Sequence, residues 1–204
     1  EINDETGDVI KITGNEPTNL VVNGDFTLDS NGDGIPDGFT YSNVTDISLL
    51  NGIAKFTATA KNGYLGKLSV VSVGNEYYQF GMVKSDSNLT RIGGMIGNVY
   101  HTGSGNFEYL SIVGIAVAVN FTIPDGRASG WTPIEVDYVG VFDVSEMKLK
   151  GIKNDEGIPF ANLTNEEIKS QLDIWVQNGF PTVVEKLVSK SDNLLDGTFN
   201  KITS

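Results

Sequence analysis

The chain has 204 residues, of which 26 are acidic and 14 basic, for a formal charge of −12. So acidic a surface excludes nucleic acid as a partner, because phosphate binding needs clustered Lys and Arg. The lack of any cysteine excludes disulfide staples and thiolate metal sites. The length suits one large or two small domains. With 24 glycines at 39% hydrophobic content, a turn-rich β protein fits better than a helical bundle. The longest uncharged apolar-leaning run, 109–124, is interrupted by Ser, Gly, Asn and Thr. It falls short of the roughly 20 apolar residues of a spanning helix, so a soluble protein without membrane insertion is expected. The sequence opens on Glu1 rather than Met, and a piece of a longer chain is expected.

Residues 1–17 (EINDETGDVIKITGNEP) are polar and acidic apart from 9–12, a short candidate strand, and read as a linker or leading arm. Asn19-Leu20-Val21-Val22-Asn23-Gly24-Asp25-Phe26 reads as a strand entering a turn. It leads into Asp29-Ser30-Asn31-Gly32-Asp33-Gly34-Ile35-Pro36-Asp37, where oxygen side chains stand at Asp29, Asn31, Asp33 and Asp37, with Gly34 after the third. Calcium loops use that spacing, with side-chain ligands at positions one, three, five and nine and glycine at six; the position-seven carbonyl would be that of Ile35. Position twelve is Thr40 rather than a bidentate Glu, so a full EF-hand is not written. Without an ion, carboxylates about 5 Å apart repel by roughly 1 kcal/mol per pair in water. A solvated Asp/Gly turn is the alternative, since these residues dominate turns in general. A structural Ca2+ is the expectation.

Short strand-like runs then alternate with turn signals. Residues 39–44 form one and 53–60 another, with Ala54, Phe56 and Ala58 on one face and Lys55, Thr57 and Thr59 on the other. Asn62-Gly63 supplies a hairpin-type turn before a strand at 65–73. Glu76 to Lys84 puts Tyr78, Phe80 and Met82 on one face. Runs at 91–101 and 107–123 follow, separated by a polar loop at 102–106. In 107–123, Val113, Ile115, Val117, Val119, Phe121 and Ile123 share a side, while Gly114, Ala116 and Ala118 fill the other; a strand covered on both faces is expected. Residues 131–144 close the set. About eight strands over some 130 residues, with no helical segment among them, predict an all-β fold, a two-sheet jelly-roll β-sandwich over 18–150.

The period then changes, and a short C-terminal helical segment follows the sandwich after the connecting insert, over 151–190. Thr164 and Glu167 form a capping box, and Leu163 and Ile168 the staple around it. Ile168, Leu172, Trp175 and Val176 make an apolar stripe at helical spacing that Gly179 ends, with Trp175 expected in the core. A second short helix is expected from Pro181, with Val184, Leu187 and Val188 on one face. Asn193-Leu194-Leu195-Asp196-Gly197-Thr198-Phe199 echoes residues 19–26, so 191–204 reads as the start of a second module or a linker.

Catalysis has little to stand on. His101 is the one histidine, and no Gly-x-Ser-x-Gly turn presents a nucleophile. Glu135 and Asp137 lie two apart on one predicted strand and so share a face, as solvent-facing pairs commonly do. Gly93-Gly94-Met95-Ile96-Gly97 has no following Lys or helix, and reads as a place of close backbone approach. No enzymatic activity is expected. A saccharide-binding face needs aromatic rings beside planar polar groups, and the candidates are Tyr100, His101, Tyr109 and Trp131, with Arg127 as a polar partner. Tyr64 and Tyr77 are second choices.

The first strand NLVVNGDF, the loop ending PDGF, the strand YYQFGMVKS and the last strand VDYVGVFDVSE resemble those of jelly-roll carbohydrate-binding modules. The passage from VGVFDVSEM to the capped helix LTNEEIKSQLDIWV is similar to a junction in tail and baseplate proteins of phages that infect Gram-positive bacteria; the insert KLKGIKNDEGIPFAN departs from it. The resemblance implies a structural calcium near the first strand with an Asp from the last strand as a further ligand, by position Asp137. It also implies a noncatalytic, extracellular module of the virion that binds host cell-wall or surface polysaccharide, beside other tail or baseplate subunits and as a homo-oligomer. The alternatives are a structural spacer of a tail assembly without glycan specificity, or the binding module of a secreted polysaccharide-degrading enzyme.

Overall fold

A computed structural model describes residues 2–3, 9–14, 17–178 and 182–187, with side-chain surroundings over 17–178. In chain order the strands are β1 (Ile2–Asn3), β2 (Val9–Gly14), β3 (Thr40–Ser42), β4 (Val44–Leu50), β5 (Ile53–Ala58), β6 (Gly63–Lys67) and β7 (Glu76–Lys84). They continue as β8 (Arg91–Ile92), β9 (Val99–Tyr100), β10 (Phe107–Ile115), β11 (Phe121–Asp125) and β12 (Ile134–Asp143). Helix α1 (Val144–Leu149), a 3-10 turn (Phe160–Asn162), helix α2 (Asn165–Asn178) and strand β13 (Thr182–Leu187) follow. The chain divides into two compact units, Pro17–Asp173 and a smaller one that combines Glu1–Glu16 with Ile174–Ser204.

The smaller unit holds an antiparallel sheet of order β1-β2-β13, with Ile2 opposite Ile10 and Thr182 opposite Gly14. The second helix expected from Pro181 is therefore a strand over 182–187. Its β-branched start, Thr182-Val183-Val184, favours the extended chain once β2 offers a ladder. Trp175 is buried, as expected of the helical stripe. The echo at 193–199 lies outside the described residues.

The larger unit is a two-sheet jelly-roll β-sandwich that continues into the helical segment. One sheet has the order β10-β7-β12-β5-β4 and the other β11-β6-β3. The core between them joins Phe56, Val83, Leu110, Val136, Val139 and Val141 of the first sheet to Leu65, Phe121 and Ile123 of the second. Each such side chain contributes about 1.5–3 kcal/mol by leaving water. The alternation in β5 holds: Ala54, Phe56 and Ala58 are all buried while Lys55 is exposed.

Three expectations about strands change. Residues 19–26 form an irregular run that seals the edge of β12 where β5 stops pairing with it. The Asn19 amide donates to Val139 O (3.1 Å) and accepts from Val141 N–H (3.0 Å), while Gly24 O accepts from Val139 N–H (2.7 Å). A Cβ at Gly24 would run into Val139 O, which is why this approach needs glycine. Asn62-Gly63 carries the chain from one sheet to the other instead of closing a hairpin, because β5 and β6 lie in different sheets. The run 107–123 is not one strand. It breaks into β10 and β11, on opposite sheets, because Ala116 and Val117 donate to Asn75 O and Met95 O (both 2.8 Å) in place of a ladder. At the glycine-rich run, a Cβ on Gly94 would meet Asn120 O, so the close approach is real.

The capping box of α2 is present: Thr164 N–H and Oγ1 donate to Glu167 Oε2 (2.8 and 2.9 Å), and Glu167 N–H returns to Thr164 Oγ1 (3.3 Å). Helix α1 was not expected; Asp143 caps it by accepting from Glu146 N–H at 2.8 Å.

Gln79 is the odd residue of the core face. It sits on β7 beside Val141 and Ile112, fully buried, and neither its Nε2 nor its Oε1 has a hydrogen-bond partner among the described residues. A buried amide in that state costs about 1–3 kcal/mol. Gln79→Met keeps the volume and removes the polar atoms, and it is expected to raise unfolding free energy by about that amount in urea or thermal denaturation.

Candidate functional site

The register of the five-stranded sheet lays out rows on the face turned away from the core. Val113, Tyr78 and Phe142 make one row, and Ser111, Phe80 and Gly140 the next. Tyr109, Met82 and Tyr138 make the third, and Phe107, Lys84, Glu135 and Lys55 the fourth. A β-bulge in β12 between Val136 and Tyr138 makes these rows possible. Ile134 and Val136 face the core before it; after it Val139 and Val141 do, so Tyr138, Gly140 and Phe142 turn outward. Asp137 is the extra residue of the bulge, exposed and close to Tyr138, so the alternation counted from Glu135 does not carry through it.

The first two rows are covered. Tyr78 is 0% and Phe80 4% exposed, and Phe142, Val113 and Ser111 are buried with them. The rings stack in a chain, Tyr78 to Phe80 at 5.3 Å and Phe80 to Phe142 at 5.1 Å between centroids. Gly140 leaves the space in which the Phe80 ring lies. Asp173 of α2 closes over this half. Its Oδ1 accepts from the Tyr78 hydroxyl and from Ser111 Oγ, both at 2.6 Å, and its Oδ2 accepts from Lys169 Nζ at 2.7 Å. Because the Tyr78 hydrogen goes to Asp173, the Tyr109 hydroxyl donates to Tyr78. Burial first, then the neighbouring phenol and carboxylate, push the Tyr78 hydroxyl well above its ordinary value and hold it protonated.

The last two rows are open. Tyr109, Met82 and Tyr138 are half-buried, and Phe107 is exposed with Lys84 Nζ 5.8 Å over its ring centroid. Tyr109 and Tyr138 stand 6.4 Å apart between centroids, each against Phe80 below. Lys84 pairs with Glu135 at 3.1 Å. Beside this row lies a polar depression of about 230 Å³, lined by Lys55, Lys84, Glu135, Asp86, Gly105 and Thr132 among others. It brings together the loops at 102–106 and 126–133 on either side of Ser85 and Asp86.

Among the residues expected to meet a saccharide, Tyr109 alone lies on this platform. Tyr100 is 51% exposed but sits in β9, with its ring under Arg91 (5.6 Å). Trp131 is half-buried beside the depression, its Nε1 donating to Arg127 O at 3.2 Å. His101 is 1% exposed, with both ring nitrogens engaged by the 102–106 loop. Arg127 binds the buried Asp125 carboxylate through Nε and Nη2, and Asp86, Thr132 and Gly130 O through Nη1. In this structure His101 and Arg127 brace the loops, with their ring and guanidinium nitrogens bonded within the protein. Tyr77, a second choice, is buried in the core, and Tyr64 is half-buried on β6 of the other sheet. Phe107 could have been found by its spacing of two from Tyr109; Tyr138 could not, because the bulge leaves no mark in the alternation.

In the acidic loop the side-chain oxygens turn inward to the backbone. Asp29 accepts from Gly32 and Gly34 N–H (both 2.9 Å), Asn31 from Asp33 N–H (3.2 Å) and Asp33 from Ile35 N–H (2.8 Å). Asp37 accepts from Ser30 N–H and Oγ, and that pair of bonds holds its carboxyl below the usual value. Among the described residues no three acidic or histidine side chains converge on a common point, and no described contact joins Asp137 to the loop. The geometry by itself is that of a self-satisfied Asx turn, though each carboxylate oxygen retains lone pairs beyond those amides.

No protein-family model matches the chain, and a search of curated proteins finds no match either. Among solved structures, the chain is similar to a family 29 carbohydrate-binding module from Piromyces equi, at 17% identity, 66% of this chain, 89% of that one and a TM-score of 0.39. It is also similar to the second N-terminal cellulose-binding domain of Cellulomonas fimi β-1,4-glucanase C, at 12% identity, 64% and 98% coverage and a TM-score of 0.43. A C-terminal family 6 module of a laminarinase from Zobellia galactanivorans aligns at 12% identity, 51% and 91% coverage and a TM-score of 0.37. Likeness this distant carries no argument about the ligand, which rests on the geometry above.

Two measurements check the brace assignments. Arg127→Met strands the buried Asp125 carboxylate and is expected to cost about 3–5 kcal/mol in unfolding free energy. Burial works against charge on Glu108, but hydrogen bonds from Ser104 and Thr102 prevail and hold its carboxyl at about 2, against 4.5 ordinarily. A depressed carboxyl contributes stability that is complete above its unfolded value and lost as pH falls through the folded one. Protection of the Thr102 amide against exchange, taken relative to the unfolded chain at the same pH, is therefore expected to fall between about pH 4.5 and 2, and a fall centred above pH 5 would contradict the Glu108 assignment.

Proposed function

We propose that the chain is a noncatalytic carbohydrate-binding module of a phage tail or baseplate protein, attaching to host cell-surface saccharide. The observation that carries the binding reading is the open half of the sheet face: Tyr109 and Tyr138 side by side across Met82, with Lys84, Glu135 and Lys55 in the next row. Rings of this kind offer flat apolar faces to pyranose rings, and the charged row offers hydrogen bonds to hydroxyls. The tail context rests on the resemblance of the last strand and capped helix to phage junctions. Single contacts would be weak, and repetition in a homo-oligomer would supply avidity. The covered rows favour a second reading, a structural spacer, because Tyr78, Phe80 and Phe142 are buried, Tyr78 being bonded to Asp173 of α2, rather than offered to a ligand.

A pull-down on purified host cell wall separates the two. Tyr138→Ala is expected to weaken wall binding by about tenfold, or 1.4 kcal/mol, with unfolding still cooperative. Tyr100→Ala, off the platform, is expected to leave binding unchanged. Absence of wall binding by the unmodified chain would establish the spacer.

Calcium in the loop at Asp29, Asn31, Asp33, Ile35 and Asp37 is part of the proposal, supported by the ligand spacing and Gly34. Extracellular sites bind at about 0.1–1 mM, and tenfold excess over the dissociation constant would add about 1.4 kcal/mol. A chelator is expected to lower the melting temperature, and Asp33→Ala to abolish that sensitivity. An identical melt with and without chelator would leave the loop as a plain Asx turn.

A further inference from the structure

His101 stands at the base of the loop that walls one side of the polar depression. Its Nε2 lies 3.0 Å from Asn106 O, which can only accept, so Nε2 carries the hydrogen. Gly103 N–H donates to Nδ1 at 2.9 Å, so Nδ1 must offer a lone pair. The two contacts together define the neutral Nε2–H tautomer. A second proton, on Nδ1, would point at the Gly103 amide hydrogen.

The charged group facing the ring is Glu108, whose Oε1 is 3.6 Å from Nδ1. Its oxygens are already engaged: Oε1 accepts from Thr102 Oγ1 and from Ser104 Oγ (2.6 Å), and Oε2 from Thr102 N–H (2.9 Å). The other charges on the packed elements have partners of their own. Asp86 and Asp125 are held by Arg127, and Arg91 lies on Tyr100 with Asn98 and Asn62 as hydrogen-bond partners. His101 N–H is anchored to Thr90 O at 2.8 Å, so the strand side of the loop is fixed and the strain falls on 102–106. Within that segment Gly105 is tied to Ser85 O at 2.9 Å and lines the depression, and Phe107 follows at the edge of the aromatic platform.

We infer that His101 is a pH-sensitive positioning residue: the 102–106 loop keeps its shape only while the imidazole is neutral, and protonation loosens the wall of the depression and the ligand held beside it. The loop change stands on geometry alone; its consequence for binding rests on the saccharide reading above. Glu108, its carboxyl held at about 2, stays ionised over the whole range tested below.

The test is a proton–nitrogen NMR titration of the full chain from pH 8 to 5, read at the His101 ring and at the Thr102, Gly103 and Gly105 amides. A common midpoint for ring and amides is expected. His101→Gln, whose amide can donate to Asn106 O and accept from Gly103, is expected to remove that midpoint. Binding to host cell wall is expected to fall at least threefold from pH 7.5 to 5.5, and His101→Gln to flatten that dependence. Stationary loop amides while the ring titrates, a ring that takes no second proton down to pH 5, or a midpoint that survives His101→Gln would each overturn the inference. No wall binding at any pH, with the loop titrating together with the ring, would sink the saccharide reading and uphold the loop inference.

Discussion

One extra residue in β12 decides what both faces of the main sheet carry. Side chains on a strand alternate, so a single insertion exchanges the faces for everything beyond it. Before Asp137 the core receives Ile134 and Val136; after it the core receives Val139 and Val141, while Tyr138, Gly140 and Phe142 join Tyr78, Phe80 and Tyr109 outside. Without the bulge, Tyr138 and Phe142 would be driven into a core already filled by Phe56, Phe121 and Leu65. Asp137 and Val139 would then stand on the outer face, and the platform would lose Tyr138 and the space that Gly140 leaves for Phe80. The β12 side chains of the core and of the platform are thus two consequences of the same irregularity.

The outer face carries more apolar surface than a water-facing sheet tolerates, and the helical segment covers half of it. What fixes the cover in register is a charge-assisted cluster: one carboxylate, Asp173, takes hydrogens from a phenol, a serine hydroxyl and a lysine. Such bonds are stronger than neutral ones, and loss of the carboxylate would take the acceptor from the buried Ser111 hydroxyl and leave Tyr78 with Tyr109 as its remaining partner. The open half is held differently. Its Lys84–Glu135 pair is partly exposed and contributes at most about 1 kcal/mol. Tyr109 spans the two halves: its hydroxyl hangs on the covered Tyr78 while its ring borders solvent. The orientation of the open platform is therefore set from beneath the cover.

How much of this could be read from residue order depends on whether the signal was local. The alternation of β5 and β7, the capping box at Thr164 and Glu167, and the close approach at the glycine-rich run were legible, because propensity and capping act within a few residues. The sandwich followed from counting strands. The bulge was not legible, since Val-Asp-Tyr-Val-Gly-Val-Phe scans as a regular strand. Nor was the break between β10 and β11, where apolar residues continue and only distant carbonyls, Asn75 O and Met95 O, bend the chain. The strand at 182–187 was hidden for the same reason, as its partner β2 lies at the other end of the sequence. His101 and Arg127 have chemistry suited to a ligand, and the protein partners that compete for it, the 102–106 loop for the first and Asp86 with the Asp125 carboxylate for the second, depend on how the loops fold.

That competition points to the sheet face rather than the loops as the place where a ligand finds unmet hydrogen-bonding capacity. The loops are rich in polar groups, yet most have a partner within the fold: Arg127 binds four residues, Glu108 three groups, and Asp29 two amides. A ligand at the loops would have to displace bonds already made, with little net gain. On the sheet, Lys55 has no ion pair or hydrogen bond among the described residues, Glu135 has one partner, and the rims of Tyr109 and Tyr138 reach water. Contacts there would be added to the fold instead of exchanged for it, which is the energetic condition for binding without rearrangement.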